Sequence, residues 1–436
     1  MSEQRLRVLV LSDLFPAPSR PAYGIFVERQ TTHVQRYCDH TVVVPTRIFP
    51  HLRIWRELAR PAQVRGAWRD WRKEIREIPL QSDIYGYPVY YPRYTAPPHQ
   101  LSHASWGFCA YPALVGLVRR LHIAQPFDLI HAHYGTPAGV VALLARRWMR
   151  VPVVISVHGM DVTYTAPQNR FGAAVTRWVF QQADALIANS NWTREKMYRI
   201  AERELSVDLI YYGGQAPSAP AIEANRADRN DKVIRLLSVG YIEERKGHQF
   251  VLRAMRRLID QGCRLHYTIV GDGSRLEELE AEVDRLGLAD VVEFAGLKRH
   301  DEVWPYFADC DIFVLPSWDE AFGIVYVEAL GMGKPVIGCA GEGGPEDLAR
   351  FGDCVELVKP RDVASLAQGL ERLITDPDRR REMGERGRTI VVNISPGSGM
   401  LRIPSCVTET YWPRLHMRPQ AFLQYEPDYD QHAIDL

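Results

Sequence analysis

The chain has 436 residues, 46% hydrophobic and 24% charged, with ten tryptophans. That is more than one ordinary core, so two domains of roughly 200 residues are expected, and a disordered or fibrous chain is excluded. Fifty-three basic residues balance fifty-three acidic ones, so the positive excess of a general nucleic-acid binder is absent. Seven scattered cysteines without a CxxC pair suit reduced thiols of a cytoplasmic protein, not a disulfide framework or a zinc site. No run reaches the ~18 apolar residues that span a bilayer. The opening MSEQRLRVLVLSD enters a strand-like run without the apolar core of a signal peptide. A cytoplasmic location is therefore the expectation, with contact at the inner membrane face at most.

Short apolar runs alternate with helical patterns along most of the chain. Residues 7–11, 41–44, 129–132, 153–157 and 185–188 are expected strands, with helices over 26–37, 138–149 and 192–200. Residues 234–239, 267–270, 291–294, 312–315 and 336–337 repeat the strand pattern, with helices over 250–260, 275–286 and 322–331. Apolar runs without strict alternation, separated by helices, belong to parallel sheets covered on both faces. The expected fold class is α/β, with two Rossmann-like domains over 1–213 and 233–393. Between them, residues 214–232 (GQAPSAPAIEANRADRNDK) are too rich in small, polar and proline residues for a core strand and suit a linker. Open parallel sheets bind ligands beyond the carboxyl ends of their strands, so two such domains facing each other would share one cleft.

The densest chemistry lies in Val314-LPSWDEAFGIVYVEALGMGKPVIG. A strand ends near Pro316, a loop follows, and a helix is expected from Ala321 or Phe322. Glu320 closes the loop and Glu328 lies two turns into the helix, about 12 Å further along its axis. Carboxylates so spaced suit a ligand with hydroxyls at both ends and phosphates between. The helix start at Phe322-Gly323-Ile324 offers N–H groups to an anion, and Gly323 lets the backbone approach. Taken singly, either glutamate is equally a helix cap or a solvated helical residue.

The block as a whole resembles the E-x7-E signature of the family 4 retaining glycosyltransferases of the GT-B fold, here Glu320-AFGIVYV-Glu328. The resemblance implies a nucleotide-sugar donor, UDP- or GDP-linked, with Glu320 facing the transferred sugar and Glu328 the ribose. Ser238-VGYIEERKGH is similar to the family's first donor-domain loop, which places Gly240 near the donor and Lys246 at its diphosphate. Tyr241 stands where members often carry arginine, and Arg245 is expected to point elsewhere, which would leave one of two phosphate cations missing. Val270-GDGSRLEEL brings Gly271 and Gly273 near the donor, and Leu297 sits where the family's backbone meets the base. Gly341-EGGPEDL resembles its glycine-rich cleft loop.

In the first half, the loop of Ser12-DLFPAPSRPAYGIFVERQ ends at Gly24 and is implied to fold over the donor phosphates and acceptor. Val157-HGMDV ends a strand at His158, where a histidine beside Gly159 points to function. Its likeness to the family's HGxD element places His158 at the transferred sugar, with Asp161 a candidate to orient the acceptor hydroxyl. No metal is expected. His131-Ala-His133 lacks carboxylate partners, and Asp309-Cys-Asp311 mimics a DxD motif from a turn before a strand. Residues 53–76 hold eight basic and three acidic residues, with Trp55, Trp68 and Trp71 interleaved. That pattern fits either a solvated insertion or a helix lying on anionic lipid.

The motif order, with GIFVERQ, DLIHAHYGTPAG and HGMDV, is most similar to transferases of teichuronic-acid or exopolysaccharide assembly, over residues 5–390. It implies hexosyl transfer to a glycan or lipid-linked acceptor, with no metal and no cofactor besides the donor. Front-face attack is favoured because no carboxylate is clearly placed as a nucleophile. A nucleotide-sugar epimerase and a catalytically impaired sugar-nucleotide-binding protein stay open. A dinucleotide oxidoreductase is disfavoured, since the first strand leads into Asp13-Leu14-Phe15-Pro16 and not a glycine fingerprint. After Met383-GERGRTIVVN the family pattern calls for an amphipathic helix, whereas 394–436 is proline-containing and aperiodic and is expected to be irregular.

Overall fold

The computed structural model describes residues 5–17, 23–48, 61–83, 85–213 and 233–394. The described residues form two compact units, one up to residue 188 with 194–209, the other 189–193 with 210–213 and 233–394. The expected linker 214–232, Trp55, and the expected irregular tail beyond Ile394 lie outside the described residues.

The first unit is built on β1 (Leu6–Ser12), β2 (Cys38–Val43), β3 (Thr46–Arg47), β4 (Gln81–Ser82), β5 (Val89–Tyr90), β6 (Arg93–Tyr94), β7 (Leu129–His133), β8 (Val153–Val157), β9 (Ala185–Ala188) and β10 (Val207–Leu209). Eight of these make one sheet in the order β10-β9-β8-β7-β1-β2-β5-β4, parallel except for β4 on β5, while β3 and β6 pair separately. The second unit holds β11 (Ile234–Val239), β12 (Leu265–Val270), β13 (Val292–Gly296), β14 (Ile312–Val314), β15 (Val336–Cys339) and β16 (Val355–Val358). They form a wholly parallel sheet, β13-β12-β11-β14-β15-β16. The apolar runs are buried along their whole length where both sheet faces are covered: all five residues of β8 and all four of β15 are inaccessible. All ten expected strands are present, within a few residues at their ends.

Both sheets reverse their strand order at a definable point. In the first unit β2 lies on one side of β1 and β7 on the other, so the reversal falls at β1 and β7. In the second it falls at β11 and β14. Loops leaving the carboxyl ends of two such strands diverge to opposite faces and open a crevice, the usual ligand position in doubly wound sheets.

Several helices differ from expectation. The one expected from Ala321 or Phe322 starts at Ile324, because Gly323 at φ 75° adopts a left-handed conformation that cannot continue a right-handed helix. Trp106–Ala124 is helical in spite of Pro112, a residue that argues against an α-helix on sequence alone. Pro377–Ile394 backs the Glu328 helix: a Cβ on Gly384 would lie 2.1 Å from the Gly333 carbonyl oxygen, and one on Gly387 2.5 Å from Leu330.

The glycine loops pack against one another. A Cβ on Gly271 (φ 151°) would stand 1.9 Å from the Gly240 carbonyl oxygen, and one on Gly273 2.3 Å from that of Ile242. The loops after β11 and β12 are therefore in backbone contact. We expect Gly271→Ala to destabilise the second unit by about 2 kcal/mol or more, read as a lower urea midpoint; an unchanged midpoint would contradict this packing.

Candidate active site

In the second unit, a short helical turn, Glu244–Lys246, follows β11 and is capped by Gly247, where an added Cβ would meet the Pro316 carbonyl oxygen at 2.5 Å. This contact brings the loop after β11 onto the loop after β14, an approach secured by the Trp318 amide donating to the Arg245 carbonyl at 3.0 Å. Lys246 and Glu320 consequently meet in the interior. Lys246 Nζ donates to Glu320 Oε2 at 2.6 Å, and each side chain retains only about a tenth of its exposure. Ser317 Oγ also donates to Glu320 Oε2, at 3.2 Å, and lies 2.8 Å from the Tyr326 hydroxyl, which donates to the Leu315 carbonyl. Burial works to raise the Glu320 carboxyl, but Lys246 and then Arg245 outweigh it and hold the group below the ordinary glutamate value.

Arg245 corrects the expectation that it points elsewhere. Its guanidinium stands 3.7 Å from Glu320 Oε2, because one tight turn places two long adjacent side chains on either side of the same carboxylate. Glu320 is thus faced by two cations. Glu328 is buried, and its Oε1 lies 2.6 Å from His300 Nε2. The pairing joins residues 28 apart, and no motif announces it.

The remaining donor-side candidates separate into two groups. Gly240, Gly271, Gly273 and Gly323 line the loop ends, and each has a structural reason for lacking a side chain. At Gly323 a Cβ would sit 2.5 Å from the Tyr326 ring. Leu297 is 71% exposed beyond β13, Tyr241 is 64% exposed, and Ile324 opens the Glu328 helix. Phe322, expected to offer its backbone at the helix start, buries its ring, with Tyr212 at 5.4 Å and Tyr211 at 5.9 Å between centroids. An aromatic side chain at this loop position is more stable in the apolar interior than against a charged ligand.

In the first unit, the strand-end cluster is built from β1, β7 and β8. His158 Nε2 lies 2.9 Å from His133 Nδ1, with the two rings stacked at 5.2 Å, and Phe26 and Tyr134 flank His158 at 5.1 and 4.8 Å. His131 pairs with Ser156 at 2.9 Å. Burial, then His131, lowers the His158 pKa to about 3, and burial, then His40, lowers that of His131 to about 4. The two histidines considered above for a metal therefore belong to a neutral, hydrogen-bonded row. Gly24 is the left-handed N-cap of the helix carrying Phe26, and its backbone abuts Leu14.

Asp161, the candidate to orient an acceptor hydroxyl, spends one carboxylate oxygen on the fold. Its Oδ1 accepts from the backbone amides of Gly135 (3.0 Å) and Thr136 (3.2 Å), fixing the turn after β7, while Oδ2 is buried without a partner. Burial raises its pKa to about 6, the two amides opposing. Asp13, not singled out in sequence, sits at the end of β1. Burial, then the neighbouring Asp161, raises its pKa to about 8 against its own backbone hydrogen bond. In the other unit, Asp311 of the DxD-like turn accepts from the Arg235 amide at 2.9 Å, closing the start of β11 against β14.

Two outcomes follow. Removing the cation in Lys246→Met leaves a buried carboxylate and should cost about 3–5 kcal/mol by chemical denaturation, much of it recovered in Lys246→Met/Glu320→Gln; additive losses would contradict the pairing. His158 has its pKa depressed from 6.5 to about 3, so its contribution is complete above pH 6.5 and is lost as pH falls toward 3. The melting-temperature difference between wild type and His158→Gln should therefore shrink between pH 6.5 and 4; a pH-independent difference would rule out a neutral buried His158.

The family described as Glycosyl transferases group 1 matches residues 221–390, and the Glycosyl transferase 4-like domain matches 79–213. The putative teichuronic acid biosynthesis glycosyltransferase TuaC of Bacillus subtilis is 26% identical over 84% of this chain and 89% of its own length. A D-inositol 3-phosphate glycosyltransferase of Streptomyces bingchenggensis is 30% identical over 59% of this chain. The match spans 61% of that relative, about three-fifths of its length. Among solved structures, Anabaena HepE, crystallised with UDP and glucose, covers 95% of this chain with its whole length at a TM-score of 0.65 and 19% identity. With two Rossmann-like halves, one matching each domain family, the chain belongs to the glycosyltransferases of the GT-B fold, family 4, similar to those of teichuronic-acid and exopolysaccharide assembly.

Proposed function

We propose that the protein transfers a hexosyl group from a UDP- or GDP-linked sugar to a glycan or lipid-linked acceptor, with retention of configuration and without a metal ion or further cofactor. The observation that carries this reading is the buried Lys246–Glu320 pair with Arg245 beside it, at the strand-order reversal of the second sheet. Transfer separates a sugar from a diphosphate, and the leaving group needs positive charge held in advance. Lys246 and Arg245 provide two cations, and the start of the Ile324–Gly331 helix adds a positive dipole end. This answers the loss implied by Tyr241 and favours a competent enzyme over an impaired binder. The crystallised HepE complex with UDP and glucose supports a nucleotide-sugar donor by analogy.

In this reaction Glu320 accepts hydroxyl hydrogen bonds from the transferred sugar, and Glu328, oriented by His300, accepts those of the ribose. His158 is neutral and donates or accepts one hydrogen bond at the sugar. The departing phosphate takes the acceptor's proton in a front-face attack. The glycine edges Gly240, Gly271, Gly273 and Gly323 border the donor, with Leu297 by the base.

No helix among the described residues is long and apolar enough to cross a membrane. The helix Pro61–Glu77 carries exposed Arg65, Arg69, Arg72, Lys73 and Arg76, a charge distribution suited to an anionic bilayer surface, and a lipid-linked acceptor would be met there.

Thermal shift with UDP-, GDP- and ADP-sugars tests the donor, since a ligand bound only by the folded state raises the melting temperature. At least one UDP- or GDP-sugar should stabilise the chain. Glu320→Ala and Lys246→Ala should each cut transfer by about 10²-fold or more while retaining the native circular-dichroism spectrum. Near-normal transfer in both would refute the donor site, and an inverted anomeric product by NMR would refute retention.

A further inference from the structure

A second feature of the first unit is used by nothing described so far. A cavity of ≈ 200 Å³ lies against the ends of β1, β2 and β3, with Trp71, Tyr91, Tyr94 and Trp106 in its walls and Asp13 and Arg47 among its polar lining. The walls are held in place. Tyr91 Oη donates to the Pro16 carbonyl at 2.8 Å, and Trp106 Nε1 donates to that of Pro97 at 3.0 Å. The half-buried Arg47 guanidinium rests 4.5 Å above the Trp106 ring, with Nη1 3.4 Å from the carbonyls of Ala96 and Pro97. Asp13 Oδ1 is buried without a hydrogen-bond partner, an arrangement that costs stability unless something else uses it.

The chemistry of these groups narrows the ligand. Aromatic walls suit the apolar face of a hydroxylated ring. An Arg fork set on an aromatic face suits a carboxylate or phosphate. The volume is below the ~300–1,000 Å³ of sites for drug-sized ligands, so it holds one ring and no extended chain. Asp13, with its pKa raised to about 8 by burial and Asp161, is protonated at neutral pH and can donate to a ring hydroxyl. Asp13 directly follows Ser12, which is level with His133 on β7, and His133 contacts His158, so the Asp13 side of the cavity faces the strand ends that carry the His158 cluster.

We propose that this cavity binds the ring that receives the sugar, a single polyhydroxylated ring bearing an anionic group, with its face on the aromatic walls, its anion at Arg47 and a hydroxyl at Asp13. The role as acceptor site rests on the transferase reading above; the ring-binding chemistry does not.

Tryptophan fluorescence of the full chain, titrated with glucuronate, glucose 6-phosphate and glucose, tests it. Saturable quenching by glucuronate or glucose 6-phosphate is expected, with glucose about ten-fold weaker or more, and the tighter of the two anions tells carboxylate from phosphate. Arg47→Gln should remove the preference for anions, Asp13→Leu should weaken all three, and Trp106→Phe should remove most of the quench. No saturable signal, glucose binding as tightly as the anions, or unchanged affinities in both Arg47→Gln and Asp13→Leu would overturn the site. Parallel titration with UDP-glucose and GDP-mannose separates the two readings. Nucleotide sugar bound with no ring probe bound defeats the cavity alone; ring probes bound with no nucleotide sugar bound defeats the transferase reading and with it the acceptor role.

Discussion

The geometry of the second unit depends on one buried ion pair. Withdrawing either Lys246 or Glu320 from water alone would cost several kcal/mol, a large share of a folded domain's net stability. Paired at 2.6 Å, they tie the loop after β11 to the loop after β14. Glu320 extends the connection: its amide donates to Glu342 at 3.1 Å, joining the loop after β15. Such convergence demands backbones closer than any Cβ allows. Gly247 therefore meets Pro316, Gly343 meets Ala321, and Gly344 lies where a Cβ would be 1.5 Å from the Phe322 carbonyl oxygen. The glycines that read as ligand-facing in sequence are, first, the consequence of bringing two charges together.

That origin does not make them irrelevant to a ligand. Loops pressed together at a strand-order reversal leave their outer edges bare of side chains, and a bare edge is what a phosphate can approach. The ion pair also suits proposed donor binding. A lysine already neutralised by a carboxylate is stored in the interior without a counterion from solvent. An arriving diphosphate would share its charge, with Arg245 able to follow because its own pairing with Glu243 is at the surface.

The strands were legible because parallel sheets leave long apolar runs, and the motif residues were legible because they cluster at strand ends. Three features were not. Arg245 and Lys246 are neighbours, and only the tightness of the turn decides that both face Glu320. His300 reaches Glu328 through the fold, across 28 residues without a local signal. Phe322 sits inside the motif, yet its ring contacts Tyr211 and Tyr212, a pairing set by tertiary packing. In each case the missing information is a long-range contact or a local backbone dihedral. Asp161 adds a complementary lesson: a polar residue after a strand gives no one-letter signal that its Oδ1 also fixes two backbone amides.

The two units differ in electrostatic character, and the difference is chemically coherent. In the first, His131, His133 and His158 are kept neutral by burial, while Asp13 and Asp161 have their pKa values raised. A site of that kind makes hydrogen bonds without imposing a strong field. In the second, full charges are held in fixed positions between loops. For the proposed transfer the division is what the reaction requires. The reacting hydroxyl of an acceptor is uncharged and needs orientation, whereas a nucleotide diphosphate enters charged and leaves more so. A fixed cation beside His158 would raise the cost of an oxocarbenium-like sugar, and a neutral Lys246 would leave the phosphate uncompensated. Burial without partners on one side and burial with a partner on the other are thus two uses of the same desolvation penalty, each matched to the charge of the group it would meet.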